Sequence, residues 1–270
     1  MPYKKFLIVA SKQDKAGINI TTQLSQFKDK NEEDFKFYLV DEDISITENL
    51  DLEKINNYDF IIFASKHESK SKEKTLSVHA PGNWRSANHG GEKNKVCPTS
   101  AIFLKQIFEK LDSTTKEHNL DYKVTMEATH HGPLISKPCL FIEIGSTETE
   151  YTDRRAGFVI ARTIKDTIAD FKENPYNEIA IAIGGPHYCP GFNKIQLKSN
   201  VAISHVIPQY VSPVTEQMIS EAIKKTEEEV DFVLLDWKGL GNAERRKEIL
   251  SILDKLYLSY KKTSQIDKED

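Results

Sequence analysis

The chain has 270 residues, of which 39% are hydrophobic and 29% are charged, and its formal net charge is −4. This composition is typical of a globular protein with one large domain or two small ones. The negative charge argues against a general nucleic-acid binder, and the absence of an apolar run of about 18 residues excludes a membrane-spanning helix. Three cysteines without CxxC spacing, Cys97, Cys139 and Cys189, favour a reducing, cytoplasmic environment.

Short apolar runs predict strands along the whole chain. They lie at residues 4–10, 35–40, 59–64, around 124, around 141, and at 178–183, 201–206 and 232–235. Helix-compatible stretches alternate with them at residues 16–27, 99–118, 151–171, 214–230 and 242–257. This alternation predicts an α/β fold, a single three-layer domain over residues 1–270 with a mostly parallel mixed sheet.

Residues 65–96 interrupt the alternation. Little periodicity is visible from residue 70 to residue 96, where His79, Trp84 and His89 stand among glycines. A long irregular loop inside a compact domain is usually functional or disordered, and the histidine, tryptophan and glycine content favours function. The charged tail, residues 261–270, is predicted to be frayed.

The same segment is rich in lysine. Lys66, Lys70, Lys72 and Lys74 lie close together, and Lys93 and Lys95 form a second group. On charge alone we interpret these runs as solvated loops, which is what most charge runs are.

Histidines stand at the ends of the predicted strands. The members of this group are His67, His130, His131, His187 and His205, while His79 and His89 lie in the long loop. Glu143 lies near the end of another strand and Asp236 closes the last one. Because ligands bind at the carboxyl ends of parallel strands, seven of the eight histidines are expected to converge on one face.

The adjacent pair in Glu127-Ala128-Thr129-His130-His131-Gly132-Pro133 is the strongest of these signals. Two neighbouring imidazoles ahead of a Gly-Pro turn are rarely needed for packing, whereas a single strand-end histidine such as His205 is more often structural. Two chemistries fit the cluster. Neutral imidazole and carboxylate are good zinc ligands, and a histidine oriented by Glu127 or Glu143 is equally suited to act as a general base without metal.

Other motifs are absent or uninformative. The sequence contains no HExxH zinc signature, no GxSxG elbow and no GxGxxG or P-loop. Cys189 has no partner cysteine nearby and is interpreted as a spectator. A kinase or a dinucleotide enzyme is therefore not expected.

At these residues the chain resembles the D-aminoacyl-tRNA deacylase family of archaea and plants. The matching motifs are SKHES (65–69), LSVHAPGN (76–83), EATHHGP (127–133), FIEIGS (141–146), GGPHY (184–188) and DWKG (236–239). They occur in the family's order over residues 60–240. The family usually has a glycine before the histidine that matches His205, where this chain has Ser204.

The resemblance implies hydrolysis of the ester between a D-amino acid and the tRNA 3′ end, and a fold like nucleoside phosphorylases and peptidyl-tRNA hydrolase. A cytoplasmic monomer is expected. The catalytic residues that the resemblance implies are His130, His131, Glu127 and His187. It implies zinc as the cofactor, held by His131, Glu143, His187 and His79. The tRNA-binding residues it implies are His67, Trp84, His89, Tyr188, His205, Lys66, Lys70 and Lys238, with Trp84 or Tyr188 stacked on the terminal adenine.

Two other functions remain open at this stage. One is a hydrolase or phosphorylase acting on a small nucleoside or a peptide-like substrate, since the same His/Glu cluster would serve it. The other is a non-catalytic RNA-binding module. Hydrolysis of D-tyrosyl-tRNA but not L-tyrosyl-tRNA would distinguish the deacylase from both.

Overall fold

The computed structural model describes residues 3–27, 35–47, 49–70 and 72–267. The strands are Phe6–Ser11 (β1), Phe35–Val40 (β2), Phe60–Glu68 (β3), Thr75–His79 (β4), Gly82–Asn83 (β5), Lys95–Val96 (β6), Lys123–Met126 (β7), Cys139–Ser146 (β8), Glu178–Ile183 (β9), Val201–Ile207 (β10), Phe232–Leu235 (β11) and Tyr260–Lys262 (β12). The α-helices are Lys15–Ser25 (α1), Leu52–Asn56 (α2), Ala101–Glu117 (α3), Glu148–Tyr151 (α4), Arg154–Asp170 (α5), Pro190–Lys198 (α6), Glu216–Lys224 (α7) and Ala243–Lys255 (α8). A 3₁₀ turn follows at Thr263–Gln265.

The main strands form two sheets. The first has the order β2-β1-β3-β8-β4-β7, in which β4 and β7 are parallel to each other and antiparallel to β8. The second has the order β10-β9-β11-β12 and is parallel throughout. The predicted α/β class with a mixed, largely parallel sheet is confirmed, and the structure adds the division into two sheets.

Helix α3 lies between the two sheets and joins their cores. It contacts β4 and β7 of the first sheet and β10 of the second, and its buried Ile107 and Leu111 belong to the same hydrophobic cluster as Val78 and Ala202. Helices α1 and α5 cover the same face of the first sheet, and α2 packs on the other face through Ile55. Helices α7 and α8 cover the outer face of the second sheet. Each sheet is thus covered by helices on both faces, and α3 is common to the two.

The structure corrects the predicted loop in residues 65–96. Its residues Thr75–His79 form β4, which is buried on both faces. The strand has the period of two, but its core-facing Leu76 and Val78 alternate with buried polar residues, so it lacks the apolar run that marks a strand. The same alternation carries Ser77 and His79 to the face opposite the core.

The predicted frayed tail is also wrong for residues 261–265. Tyr260–Lys262 adds to the second sheet beside β11, because parallel pairing satisfies its backbone although its side chains are charged or polar. Residues 268–270 of that tail lie outside the described residues. No helix in the described part of the chain is long and apolar enough to cross a membrane.

Candidate active site

The site lies where the two sheets meet. His67 comes from the end of β3, His79 is the last residue of β4, and Glu127 directly follows β7. Glu143 is provided by β8, and His187 follows β9 of the second sheet. His67 and His187 lie near strand ends as expected, whereas Glu143 lies within β8 and His79, expected in a loop, ends the unpredicted strand β4.

The register of the central strand β8 fixes the order of the side chains. Glu143 pairs with Ser65 of β3 on one side and with Ser77 of β4 on the other. His67 pairs with Gly145 and His79 with Phe141, two residues to either side of Glu143 along β8. Because β4 runs antiparallel to β8, its C-terminal residue His79 lies two residues from Glu143 along β8, on the side opposite the partner of His67.

The segment from Glu127 to Pro133 ties the site to the second sheet. The Ala128 amide donates to the His187 carbonyl at 2.8 Å, and the Thr129 amide donates to the Val206 carbonyl at 3.1 Å. His131 has a left-handed backbone conformation, with φ of 42°, which is uncommon for a residue with a side chain. Gly132 is in a close approach, since a Cβ there would lie 2.4 Å from the Gly91 amide nitrogen.

Glu127 is the central carboxylate of the site. Its side chain is fully buried and has three imidazole neighbours. Oε2 lies 2.9 Å from His187 Nε2 and 3.5 Å from His130 Nε2, and Oε1 lies 3.1 Å from His67 Nδ1. The geometry at Oε1 is not that of a hydrogen bond, so this buried oxygen has no hydrogen-bond partner among the described residues.

Glu143 is the second buried carboxylate. It accepts a 2.5 Å hydrogen bond from Ser65 Oγ through Oε1. Its Oε2 lies 3.6 Å from His67 Nδ1 and 3.7 Å from His79 Nε2. Together with Glu127, it places two carboxylates around His67.

The two carboxylates determine which groups are charged. Burial alone would lower the pKa of His67, but contacts with Glu127 and Glu143 raise it to about 11. Against burial as well, Glu143 raises the pKa of His79. Burial would raise the pKa of each carboxyl, but the imidazoles lower the pKa of Glu127 well below its usual value and that of Glu143 to about 2. The centre is therefore a buried network of imidazolium and carboxylate.

The surroundings of His130 and His131 favour their neutral forms. Burial, together with the charge of His79, lowers the pKa of His131 to about 4 and that of His130 well below its usual value. The Nδ1 atoms of His79, His130 and His131 donate to the carbonyls of Ala80, Ala128 and Gly132 at 3.2, 2.8 and 2.6 Å. In His130 and His131 this leaves Nε2 as the ligating or proton-accepting atom, and His79 Nε2 becomes available once that imidazole gives up its proton.

The donor atoms fit a metal ion. Three overlapping groups have their ligand atoms within 4.8 Å of one another: His67 with Glu127, His130 and His187; His79 with His130 and His131; and His79 with Glu127 and Glu143. Three of these atoms, His79 Nε2, Glu127 Oε1 and Glu143 Oε2, are buried without a hydrogen-bond partner among the described residues. The four ligands that the resemblance implies are divided among these groups, with His187 in the first and His131 in the second.

An open cleft of about 990 Å³ leads to this centre. Of the predicted tRNA-binding residues, His67, His89, Lys66 and Lys70 line it, together with Lys72. Trp84 lines a second pocket instead. The remaining three do not line either space in the described part of the chain.

Tyr188 and His205 contact residues of the site without lining the cleft. The Tyr188 hydroxyl lies 2.9 Å from His67 Nε2, on the side of that ring away from the carboxylates. His205 is fully buried, with Nδ1 3.3 Å from Thr129 Oγ1. Lys238 is exposed in the turn after β11.

Sequence reasoning missed three polar residues of the cleft region. Ser65 holds Glu143, and the buried Asp14 caps α1 while accepting a hydrogen bond from the Lys66 amide at 2.7 Å. Tyr210 follows β10 and its hydroxyl lies 3.3 Å from His187 Nδ1. Asp14 stands where an ordinary helix N-cap follows a strand. The sequence around it therefore does not indicate that it lines the cleft.

Comparisons with known proteins agree on one family. A family model described as D-aminoacyl-tRNA deacylase matches residues 54–261. The D-aminoacyl-tRNA deacylase of Pyrococcus abyssi is 35% identical, with 94% of this chain and 98% of that protein covered. The protein of the same name from Methanocaldococcus jannaschii is 34% identical over 91% of this chain and 94% of its own length. The crystal structure of AF0625, described as a conserved protein of unknown function, superimposes with a TM-score of 0.87 at 30% identity over 98% of both chains.

Proposed function

The chain belongs to the D-aminoacyl-tRNA deacylase family, and on that premise we propose that it hydrolyses the ester bond of D-aminoacyl-tRNA. The products are free tRNA and a D-amino acid, so the protein would remove D-amino acids mischarged onto tRNA. A cytoplasmic monomer is the proposed acting form, because translation supplies the substrate there and one chain provides every residue of the centre. The proposal rests on the 2.9 Å contact between the buried Glu127 and His187, which lines the cleft.

His187 is the proposed general base. Its Nε2–H donates to Glu127, which leaves Nδ1 as the acceptor, facing the Tyr210 hydroxyl at 3.3 Å. A buried carboxylate that holds one imidazole nitrogen orients the ring and stabilises the imidazolium that forms. The weak 3.3 Å contact at Nδ1 is one that a substrate water can replace.

The proton moves in a closed cycle. A water molecule gives a proton to His187 Nδ1 while its oxygen forms a bond to the aminoacyl carbonyl carbon. The bond from that carbon to the tRNA 2′ or 3′ oxygen then breaks, and the leaving oxygen takes the proton from His187 Nδ1. His67, held as a cation between Glu127 and Glu143, keeps both carboxylates ionised during this cycle.

We propose His79, His130 and His131 as the residues that would hold zinc. One ring nitrogen of each lies within 4.8 Å of the other two, and each Nδ1 is hydrogen-bonded to a backbone carbonyl, which is how protein zinc ligands are usually oriented. When bound, the ion would polarise the ester carbonyl and offset the negative charge that develops on its oxygen. With zinc bound, Glu143 would lie beside a metal-bound His79 imidazole and no longer beside a protonated one.

The test is deacylation of D-tyrosyl-tRNA and L-tyrosyl-tRNA by the purified protein. We expect hydrolysis of the D-ester only, and a loss of about 100-fold or more in kcat for His187→Ala. His118→Ala is the matched control, because His118 caps the end of α3 and contacts Phe158 away from the cleft. Survival of D-tyrosyl-tRNA with the wild-type protein would overturn the proposal.

A further inference from the structure

A second pocket lies beside the catalytic cleft and shares its histidines. It has a volume of about 330 Å³, and His89, His130 and His131 line both this pocket and the cleft. A substrate whose reacting bond lies at His130 and His131 therefore has one space on either side of that bond. One space would hold the aminoacyl group of such a substrate and the other its nucleotide.

The charges of the two spaces differ. Five carboxylates line the cleft, Asp14, Asp43, Glu68, Glu143 and Glu148, alongside three lysines. The described residues that line the second pocket include no carboxylate, and Arg85 is their one permanent charge. An α-ammonium group is stabilised near carboxylates and a phosphate is not. The charge pattern places the aminoacyl group in the cleft and the nucleotide in the second pocket.

The second pocket also has the surfaces that a base needs. Tyr210 is 60% exposed, although it is a large aromatic residue, and its hydroxyl contacts His187. Trp84 forms part of the wall and is held in place by its indole N–H, which donates to the Val206 carbonyl at 3.1 Å. Unpaired bases stack on aromatic rings, and a volume near the lower end for ligand sites suits one nucleoside and not a longer segment.

Arg85 lines the same pocket and has guanidinium N–H donors beyond the one that contacts Pro213. One of its amino groups donates to the Pro213 carbonyl at 2.9 Å, which fixes the side chain and leaves the other guanidinium donors. Guanidinium groups bind phosphate oxygens with two parallel hydrogen bonds. Arg85 therefore suits the phosphate that joins the last nucleotide to the rest of the chain.

We propose that this pocket binds the terminal adenosine of the tRNA 3′ end, with Tyr210 stacked on the base and Arg85 paired with its 5′ phosphate. The inference rests on the proposed deacylase function for the identity of the nucleotide. It adds the orientation of the substrate and two residues that determine its affinity. Val211, in the wall of the pocket, is the position at which added bulk would block it.

The first experiment measures binding of the trinucleotide CpCpA by the full chain. Wild-type protein should bind it, and Tyr210→Ala should weaken binding about ten-fold to one hundred-fold, the usual effect of losing one stacked base. Val211→Trp should abolish binding, and Tyr210→Ala keeps the inference testable if that variant does not fold. Gln209→Ala is the control, because Gln209 is an exposed neighbour outside the pocket lining and should bind like wild type. Equal binding by wild type and Tyr210→Ala would overturn the inference.

A second experiment separates this inference from the deacylase proposal. Arg85→Ala should raise KM for D-tyrosyl-tRNA with little change in kcat, and should leave hydrolysis of D-tyrosine ethyl ester unchanged because that ester has no phosphate. Equal losses with both substrates would overturn the assignment of Arg85. If D-tyrosyl-tRNA is not hydrolysed at all but CpCpA binding still depends on Tyr210, the deacylase proposal fails and the nucleotide pocket stands.

Discussion

At the scale of single residues, Glu127 has the least replaceable side chain in the site. It is a fully buried carboxylate, and a buried charge is tolerated only when it is paired. His67 and His187 provide that pairing from the two sheets. The same contacts orient His187, so a stabilising interaction and the proposed proton transfer depend on one group.

Replacing Glu127 by Gln should therefore impair catalysis more than folding. The amide keeps the shape of the side chain but cannot stabilise an imidazolium on His187, so kcat for D-tyrosyl-tRNA should fall by about 100-fold or more. Steady-state kinetics and circular dichroism of Glu127→Gln check this. Glu216→Gln, which pairs with Lys255 at the surface and does not line the cleft, should keep wild-type kcat, and an equal loss in both variants would contradict the role of Glu127.

His205 provides a test of the buried histidines through pH. Burial lowers its pKa from an ordinary value near 6.5 to about 4. Between these two pH values the imidazole is protonated in the unfolded chain and neutral in the folded chain. Stability is then lost as pH falls through about 6.5 towards 4. In His205→Asn this contribution is absent, and the stability difference between wild type and variant should shrink by about 3 kcal/mol over that range. Urea denaturation at several pH values measures it, and a difference independent of pH would contradict a neutral buried His205.

At the scale of elements, the site shows which features the sequence can predict. His130 and His131 stood out because two adjacent imidazoles before a Gly-Pro turn have few packing explanations, and strand ends pointed to His67 and His187. Strand β4 was missed because its buried Ser77 and His79 are polar. Polar residues that face a site reduce the hydrophobic signal from which strands are recognised.

Helix α3 contains a buried lysine that no pattern indicated. Lys105 reads as part of a solvated face, but its side chain is fully buried and its ammonium donates to the Gln196 and Ser199 carbonyls, each at 2.6 Å. These carbonyls lie at the C-terminal end of α6, where the helix dipole favours a cation. The contact joins the helix between the sheets to the helix that follows the His187 loop.

Lys105→Met should destabilise the protein by about 3 kcal/mol, because two buried carbonyls lose their donor and the thioether cannot replace it. The free energy of unfolding in urea measures the change. Lys116→Met is the matched control in the same helix, since Lys116 is 72% exposed and pairs with Asp112 only at the surface. Similar losses in both variants would show that the buried contact is not the cause.

At the scale of the whole molecule, the site depends on two sheets that the sequence did not separate. The strand patterns predict the strands, but they do not identify pairing partners, because a buried parallel strand has apolar residues on both faces whichever neighbour it has. The division became visible only through pairs such as β9 with β10 and β11. Glu127 follows the first sheet and His187 the second, so their 2.9 Å contact requires both sheets in place.

This arrangement predicts that zinc stabilises the entire fold. The proposed ligands are His79 in the first sheet and His130 and His131 in the segment held to the second sheet by Ala128 and Thr129. Zinc added to chelator-stripped protein at about 100 times its dissociation constant should contribute about 3 kcal/mol. For a chain of this size, that corresponds to a rise of roughly 5–10 °C in a single thermal transition.

Calorimetry of the stripped and reloaded protein measures that shift, and elemental analysis gives the bound metal per chain. His131→Asn should lose most of the zinc-dependent shift because it removes one of three imidazole ligands, whereas His118→Asn should keep it. Magnesium should not replace zinc, because Mg²⁺ prefers oxygen ligands in octahedral geometry and the proposed ligands are nitrogens. A shift of equal size in His131→Asn, or none in the wild-type protein, would remove zinc from these histidines and leave the Glu127–His187 pair to activate water alone.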